Sequence, residues 1–493
     1  MLTIGGENYY AIGGPISFTV LSPTETINDI IGSKQPIIIL MGDSHESDEG
    51  LCSTDEMCVT FPNRCLSITS KEWYILLDSI SSHTCPLDYT TEVFFPLDLL
   101  NKDPTYVIQP NKDGKLLPYN RFDTEYTDTP LRWILDNHFH CFSRLQSYES
   151  DNDICFTKHI RYQFVDVRVS GKGVILDKKD KAYNFKNSFE SNLLSSFSST
   201  LNHFTPTTKI HPESKLSVEY VALLPLVNIT LFATTLWDDP SFQKHSLVYK
   251  QIKKETNKEF FKDTFIEYFN FALADDFKSN IFDQTRSYVK FKEQVKKEFI
   301  DASMYDMWCA KDFIARLTPY QDIVAMYIRK IFTPFLDLYF LFRMWKKKQN
   351  LTIDTHYDPW CYVLNAGNIH TSNLFAYLTT KGYFTAMCDI GLDTFKHVTE
   401  NSTSRANKRN VAWFQSNLKR CQIFDCNVSL DKYASSEALE LLERRKKFFD
   451  KHYQRILFGS LKLSSTALQR FLKRKRNRHI GSIEQAIKFL NLR

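Results

Sequence analysis

Two short apolar runs, separated by more than half of the chain, most constrain what this sequence can fold into. Residues 36–41 read PIIILM and residues 361–364 read CYVL. An apolar run without polar alternation is typical of a strand buried on both faces, as in a parallel sheet covered by helices. Further strands are predicted at 92–95, 161–167 and 383–390. The sequence therefore predicts an α/β fold with a mixed or parallel central sheet.

Helical patterns occupy the middle of the chain and its end. In residues 241–348, aromatic side chains recur at helical spacing, namely Phe260, Phe261, Phe265, Tyr268 and Phe269. Residues 336–345 (LDLYFLFRMW) form an apolar helix in which Asp337 and Arg343 lie six positions apart. Side chains at that spacing do not face each other on a helix, so each is expected to need a buried partner from another element.

The chain is predicted to divide into two regions. Residues 1–400 form the α/β domain, with a helical insertion at about 241–348, and residues 401–493 form a helical basic segment. The last 51 residues, 443–493, carry a net charge of +12, which leaves −7 for the rest of a chain whose total is +5. An acidic body with a basic end indicates that the two parts act differently.

The densest basic stretch, LKRKRNRH at 472–479, is a candidate contact for an anionic partner. Nucleic acid, an acidic capsid protein or a membrane surface would suit it, and a nuclear-import signal or a solvated face are the alternatives. The candidate contact residues are Lys473, Arg474, Lys475, Arg476 and Arg478. No helix-turn-helix, RRM or zinc-finger pattern is present, so sequence-specific reading of nucleic acid is not expected.

The cysteines and the apolar segments bear on the compartment. Eleven scattered cysteines without a CxxC pair indicate reduced thiols rather than a disulfide framework or a zinc ribbon. The N-terminus lacks the pattern of a signal peptide. Residues 220–237 are uncharged, but Pro225 and Asn228 favour a buried helix or strand pair over a membrane span. The prediction is a protein of a reducing compartment, without a convincing transmembrane segment.

The strongest motif is a matched pair at the ends of two predicted strands. Gly42-Asp-Ser-His45 follows the first apolar run, and Gly367-Asn-Ile-His370 follows the second. Ligands of α/β sheets bind at the carboxyl ends of strands, so the two histidines are expected to share one site. Each glycine is expected to let the chain turn sharply off its strand, and Thr371 or Ser372 is expected to cap the following helix.

Several polar residues accompany this pair. Histidines at such a site could bind a divalent metal or transfer protons, with His45, His370 and Asp43 as the candidate ligands. Asp43 and Glu46 flank the first histidine, whereas Asp166 and Arg168 end a third strand, as an ion pair or as groups that contact substrate. Glu92, at another strand, could point to the same place.

These residues together resemble a family of proteins from large nucleocytoplasmic DNA viruses, the giant viruses. The resemblance is carried by GDSH at 42–45, VDVR at 165–168, DLYFLFRMW at 337–345 and GNIH at 367–370. At the level of motifs only, the pattern is also similar to the superfamily of erythromycin esterase, haem-binding ChaN, TraB and Tiki. Its members place two G-x-x-H motifs around one site, and they include metal-dependent proteases and hydrolases that use histidine.

The resemblance implies roles for individual residues. His45 and His370 would lie at the centre of the site. Asp166 and Arg168 would form a D-x-R element, and the helix would contribute Asp337, Tyr339 and Arg343, of which Arg343 would contact substrate. The first motif departs from the commoner G-E-x-H, because Asp43 is one methylene shorter than glutamate. The resemblance covers about residues 36–390 and not the basic segment.

The functional hypothesis is a hydrolase of viral origin, esterase-like or a metal-dependent protease, located in the host cytoplasm or the virion. Its catalytic candidates are His45, His370, Asp43, Glu46, Asp166 and Arg168, its substrate-binding candidates Arg168, Arg343 and Glu92, and its metal Mn, Co or Zn. The chain has no Walker A motif, kinase set, H-E-x-x-H or G-x-S-x-G. The alternative is a non-catalytic virion or assembly protein that docks through residues 443–493.

Overall fold

The computed structural model describes a little under half of the chain, in segments that include most of the predicted strands. They are residues 1–43, 65–68, 71–82, 85–94, 159–167, 188–190, 192–193, 210–216, 221, 224, 228–278, 321–346, 358–391 and 421–433. His45, Glu46, Arg168 and the predicted basic segment 443–493 lie outside these residues.

A six-stranded mixed sheet forms the centre of the fold. Its strands are β4 (Ser17–Pro23), β5 (Ile37–Asp43), β7 (Leu87–Phe94), β8 (Ile160–Asp166), β9 (Cys361–Gly367) and β10 (Phe384–Ile390). They lie in the order β10-β4-β5-β9-β7-β8, in which β5, β9, β7 and β8 are parallel and β4 is antiparallel to both of its neighbours. The predicted α/β fold with a mixed sheet is confirmed.

The two predicted apolar strands are direct neighbours in this sheet. Every residue of β5 and of β9 is buried, as the unbroken apolar runs require. The two strands pair in parallel register from Ile37 with Cys361 to Asp43 with Gly367. Their carboxyl ends therefore coincide, and the segments that follow both strands begin at the same edge.

Helices cover the sheet on both faces. They are α1 (Glu25–Ile31), α2 (Lys71–Ser79), α3 (Ile229–Trp237), α4 (Pro240–His245), α5 (Leu247–Ile252), α6 (Lys258–Lys278), α7 (Gln321–Trp345) and α8 (Asn368–Thr380). Tyr362 of β9 contacts Phe340 of α7. Tyr89 of β7 pairs with the residue of β9 that follows Tyr362, and it contacts Tyr74 of α2. Successive strand residues face opposite sides, so α2 and α7 cover opposite faces.

Aromatic side chains fill the space between the helices. The stripe predicted on the helical insertion lies on α6, where Phe265, Tyr268 and Phe269 are fully buried. Phe261 meets Phe342 of α7 edge-on at 5.1 Å between ring centroids, which is a favoured aromatic geometry. This packing fixes α6 and α7 against each other, and both contribute to the site described below.

Two small sheets extend the fold near the chain's ends. One contains β1 (Leu2–Ile4), β2 (Glu7–Tyr9) and β12 (Val428–Ser429), and the other contains β3 (Ala11–Gly13), β6 (Cys65–Ser67) and β11 (Cys421–Ile423). A short 3-10 helix at Leu430–Lys432 follows β12. The segment 421–433 thus packs with the first residues of the chain, although the sequence predicted a separate helical region from residue 401.

A disulfide joins Cys388 of β10 to Cys426, with 5.4 Å between their Cα atoms. The prediction of reduced thiols throughout is wrong at this pair. Spacing could not reveal it, because the two cysteines are 38 residues apart and meet only through the packing of the β11–β12 segment against the sheet. Cys85 and Cys361 are free.

The uncharged stretch 220–237 contributes the nine-residue helix α3. The Asn228 side chain accepts a hydrogen bond from Leu231 N at 2.9 Å and so caps its first turn. None of the helices in the described part of the chain combines the length and the apolarity that crossing a bilayer requires.

Candidate functional site

Polar side chains collect at the carboxyl edge of the central sheet. Asp43 ends β5, Glu92 lies near the end of β7, and Asp166 ends β8. Asp43, the second residue of the first motif, is in register with Gly367, the first residue of the other, so the two G-x-x-H motifs start side by side with an offset of one residue. The sheet therefore brings the described parts of both motifs to one edge, as the sequence predicted.

An irregularity in β7 positions Glu92. Thr91 pairs with Phe164 of β8, but the next matched pair is Phe94 with Asp166, so β7 carries one extra residue between them. Such a bulge changes the direction of the side chains that it contains. The Glu92 carboxylate reaches β9, where its Oε2 accepts a hydrogen bond of 2.6 Å from Gly367 N.

Helix α8 begins earlier than predicted. Gly367 is its N-cap residue, and the helix runs from Asn368, so His370 belongs to its first turn. The prediction that Thr371 or Ser372 caps this helix is wrong. Glu92 takes over part of the capping, because its carboxylate accepts the Gly367 N–H that the helix leaves unpaired.

Gly42 is required for a different reason from the one predicted. It is not among the glycines with a left-handed backbone, so the predicted sharp turn is absent at this residue. A Cβ built on it would lie within 3.0 Å of Asn368 Oδ1, Ser17 Oγ and Thr371 Oγ1. The missing side chain lets the first turn of α8 pack directly on β5, which holds His370 at the sheet edge.

His370 lies between two carboxylates. Its Nδ1 is 2.7 Å from Asp337 Oδ1 of α7, and its Nε2 is 3.3 Å from Glu92 Oε1 of β7. Tyr268 of α6 donates to the other Asp337 oxygen at 2.6 Å. Four elements therefore meet in one chain of contacts, Tyr268–Asp337–His370–Glu92, in which both imidazole nitrogens face acidic partners.

The side chains in this chain of contacts are almost completely removed from solvent. The side chain of His370 is 3% exposed and that of Asp337 is fully buried, while Glu92 retains 8% exposure. Burial alone would lower the pKa of His370, but the charges of Glu92 and Asp337 outweigh it and raise the pKa to about 9. The imidazole is therefore protonated at neutral pH.

The partners of His370 are perturbed in turn. Burial raises the pKa of Asp337, and the nearby imidazolium opposes that shift. Burial and the Asp337 charge raise the pKa of Tyr268, which therefore acts only as a hydrogen-bond donor at neutral pH. A positive charge in the first turn of a helix is normally unfavourable, and here the two carboxylates offset it.

One predicted site residue of the described chain, Arg343, lies elsewhere. The Arg343 guanidinium donates to Gln163, in the middle of β8 rather than at its carboxyl end. Six residues of helix separate Arg343 from Asp337, a rise of about 9 Å. The prediction that both need buried partners from other elements is confirmed, whereas no described contact brings Arg343 to His370.

Tyr268 is the residue in this chain of contacts that the sequence did not indicate as functional. The sequence pattern included Tyr268 only as part of an aromatic stripe. Such a stripe does not distinguish a tyrosine whose hydroxyl group has a buried acceptor from an aromatic residue that only fills the core. A buried tyrosine requires a partner for its hydroxyl group, so an embedded Asp337 on a neighbouring apolar helix was the available signal.

A second group of polar residues could hold a metal ion. His211, Glu213 and His245 each offer one ligand atom, and these atoms lie within 4.8 Å of one another. Burial lowers the pKa of both histidines, so the rings are neutral at neutral pH. No motif signalled this group, because 34 residues separate His211 from His245. The predicted divalent metal thus has a possible site, formed by other residues than those predicted.

Comparisons of the chain with protein families, with curated proteins and with solved structures give no match.

Proposed function

We propose that the chain is a hydrolase whose acid–base centre is Glu92 with His370, at the carboxyl edge of the sheet. The observation that carries the proposal is the placement of the His370 imidazolium between Glu92 and Asp337. Carboxyl edges of parallel strands are where α/β proteins bind ligands, and strongly shifted pKa values are concentrated at functional sites.

The geometry favours proton transfer over metal ligation at His370. Metal binding requires a neutral imidazole with a free nitrogen, whereas this ring is protonated and both nitrogens contact carboxylates. In the proposed reaction Glu92 takes a proton from a water molecule, and the resulting hydroxide attacks an acyl carbon. Glu92 then returns the proton to the leaving group as the bond to it breaks.

The remaining groups support this cycle. The positive charge of His370 stabilises the negative charge that develops in the transition state, and Asp337 with Tyr268 fixes the ring's orientation. His45, two residues after the edge residue Asp43 in the sequence, is proposed as the second histidine of the site. Arg168, two residues after Asp166, is proposed to bind an anionic part of the substrate.

The test compares two isosteric substitutions in a panel of chromogenic esters and peptides. Glu92→Gln keeps the size and the contact with Gly367 but cannot accept a proton from water, so hydrolysis should fall by about 10²–10⁴-fold. Glu267→Gln is the matched control, because Glu267 forms a half-exposed ion pair with Lys381. Equal activity of the two variants would contradict the proposal.

The near-complete burial of the Tyr268–Asp337–His370–Glu92 chain also favours a second candidate, a non-catalytic scaffold. In that case the chain of contacts serves stability alone, and the protein acts as a virion or assembly component through the basic segment 443–493. Wild-type protein would then hydrolyse none of the panel, Glu92→Gln would lower only the free energy of unfolding, and deletion of 443–493 would abolish binding to an anionic partner.

A further inference from the structure

The group of His211, Glu213 and His245 lies outside the chain of contacts around His370 and shares no residue with it. His211 and Glu213 belong to the short described segment 210–216, and His245 is the last residue of α4. The ligand atoms of His211 and Glu213, which are close in the sequence, and of the distant His245 thus lie within 4.8 Å of one another.

The framework around this group is held by other residues. Asp239 caps α4, because its Oδ1 accepts hydrogen bonds from Ser241 N and Phe242 N at 2.9 and 3.0 Å. Its other oxygen accepts from Ser214 Oγ at 2.9 Å and from Lys215 N at 3.3 Å. One buried carboxylate therefore ties the segment that carries His211 and Glu213 to the helix that carries His245.

The His211 ring is fixed in place from two sides. Its Nε2 lies 2.9 Å from the Asn192 amide, and its face stacks on Phe189 with 6.0 Å between ring centroids. A metal-binding histidine usually donates its second ring N–H to an acceptor, so for Nδ1 to be the ligand atom the Asn192 amide must turn and present its oxygen to Nε2–H. Glu213, whose side chain is 45% exposed, provides access from solvent.

We propose that His211, Glu213 and His245 bind a late first-row divalent cation of the zinc class. Two imidazole nitrogens and one carboxylate oxygen are ligands that Zn²⁺ and Co²⁺ accept, and three protein ligands leave a further coordination position for water. The bound ion would join the segment 210–216 to the end of α4 through a direct cross-link, beside the one that Asp239 already makes.

Binding requires a small movement of His245. Zinc–ligand bonds of about 2.1 Å allow two donor atoms to be at most about 4.2 Å apart, a condition that His245 Nε2 and Glu213 Oε2 meet at 3.4 Å, so the movement concerns the two histidine rings. The rings of His211 and His245 are also stacked, 4.5 Å apart and inclined by 10°, and parallel rings cannot both point a nitrogen at one ion. Because Asn192 and Phe189 hold His211, the ring that turns is His245.

Lys244 should compete with the ion. Its Nζ lies 3.0 Å from Glu213 Oε1, so the metal must replace the lysine's charge at that carboxylate. Removal of this charge, in Lys244→Met, should tighten metal binding several-fold. This effect separates a site at Glu213 from zinc bound by cysteines or histidines elsewhere in the chain.

The experiment titrates chelator-treated full-length protein with Zn²⁺ by calorimetry, and with Co²⁺ by visible spectroscopy. Glu213→Gln and His245→Gln should each weaken one binding event by a factor on the order of 100, whereas His159→Gln should leave it unchanged. Thermal unfolding without metal checks that the variants fold, and the exposed Glu213 makes Glu213→Gln the safer of the two. Wild-type affinity and stoichiometry in both variants would overturn the proposal.

Discussion

At Gly42 there is no space for a methyl group, because β5 meets the first turn of α8 there. The three atoms nearest to a Cβ at this position belong to Asn368, Ser17 and Thr371, and Ser17 also donates a hydrogen bond to the Asn368 side chain. The sequence singled out Gly42 correctly, but a pattern of letters does not show whether a glycine is needed for its backbone or for its size.

Gly42→Ala is therefore expected to destabilise the protein by about 1–3 kcal/mol, the usual cost of an added group in a packed core. The free energy of unfolding in urea measures it. Asn368→Ala removes one of the three blocking atoms, so the double variant should lose less than the sum of the two single variants. A fully additive result, or a stable Gly42→Ala, would show that α8 does not pack on β5 in this way.

His370 and Asp337 illustrate what could be predicted at single residues. A carboxylate on an apolar helix needs a partner, and the sequence indicated this for Asp337 without identifying His370. The partner lies 33 residues further on, across the packing of α7 on α8, and that packing depends on side-chain shapes rather than on spacing. Tyr268 and Glu92 meet the pair from two other elements for the same reason.

Among the elements, the strands of the central sheet were the most predictable. Their apolar runs require two buried faces, and the neighbours β5 and β9 confirm the expectation that both G-x-x-H motifs start from one sheet. The bulge in β7 and the early start of α8 were not predictable, because each depends on a contact with a distant residue. These two irregularities are what place Glu92 beside His370.

The link between Cys388 and Cys426 is a second feature at the scale of elements. It ties β10, at the edge of the central sheet, to the segment between β11 and β12. A cross-link that closes a loop of this length is expected to contribute about 2–4 kcal/mol, chiefly by restricting the unfolded chain.

Replacement of both cysteines, in Cys388→Ser with Cys426→Ser, should lower the free energy of unfolding by that amount under oxidising conditions. Under reducing conditions the variant and the wild-type protein should unfold at similar urea concentrations, because neither has this bond. The contrary result is an equal stability of the two proteins before reduction, which would mean that the bond does not form.

For the whole molecule, the raised pKa of His370 predicts a dependence of stability on pH. The folded pKa of about 9 exceeds the ordinary value of 6.5, so the folded state binds the proton more tightly than the unfolded chain. The resulting stabilisation is complete below about pH 6.5 and is lost as the pH rises to about 9. A difference of this size corresponds to about 3 kcal/mol.

Unfolding in urea at several pH values, in wild type and in His370→Gln, isolates this contribution. The stability difference between the two proteins should be largest near pH 6 and should shrink by about 3 kcal/mol towards pH 9.5. Groups other than Glu92 and Asp337, which lose the facing imidazolium in the variant, titrate in both proteins alike, so their effects cancel in the comparison. A difference that stays constant over this range would mean that His370 is not charged in the folded protein.

His370 is a buried imidazolium held between Glu92 and Asp337, and every role proposed for the site depends on its charge. Titration of the labelled histidine ring by NMR, assigned with His370→Gln, measures its pKa in the folded protein directly. The expected pKa is about 9, and it should fall in Asp337→Asn, because that variant removes one of the two charges that raise it. A pKa at or below the ordinary 6.5, unchanged in Asp337→Asn, would contradict this expectation.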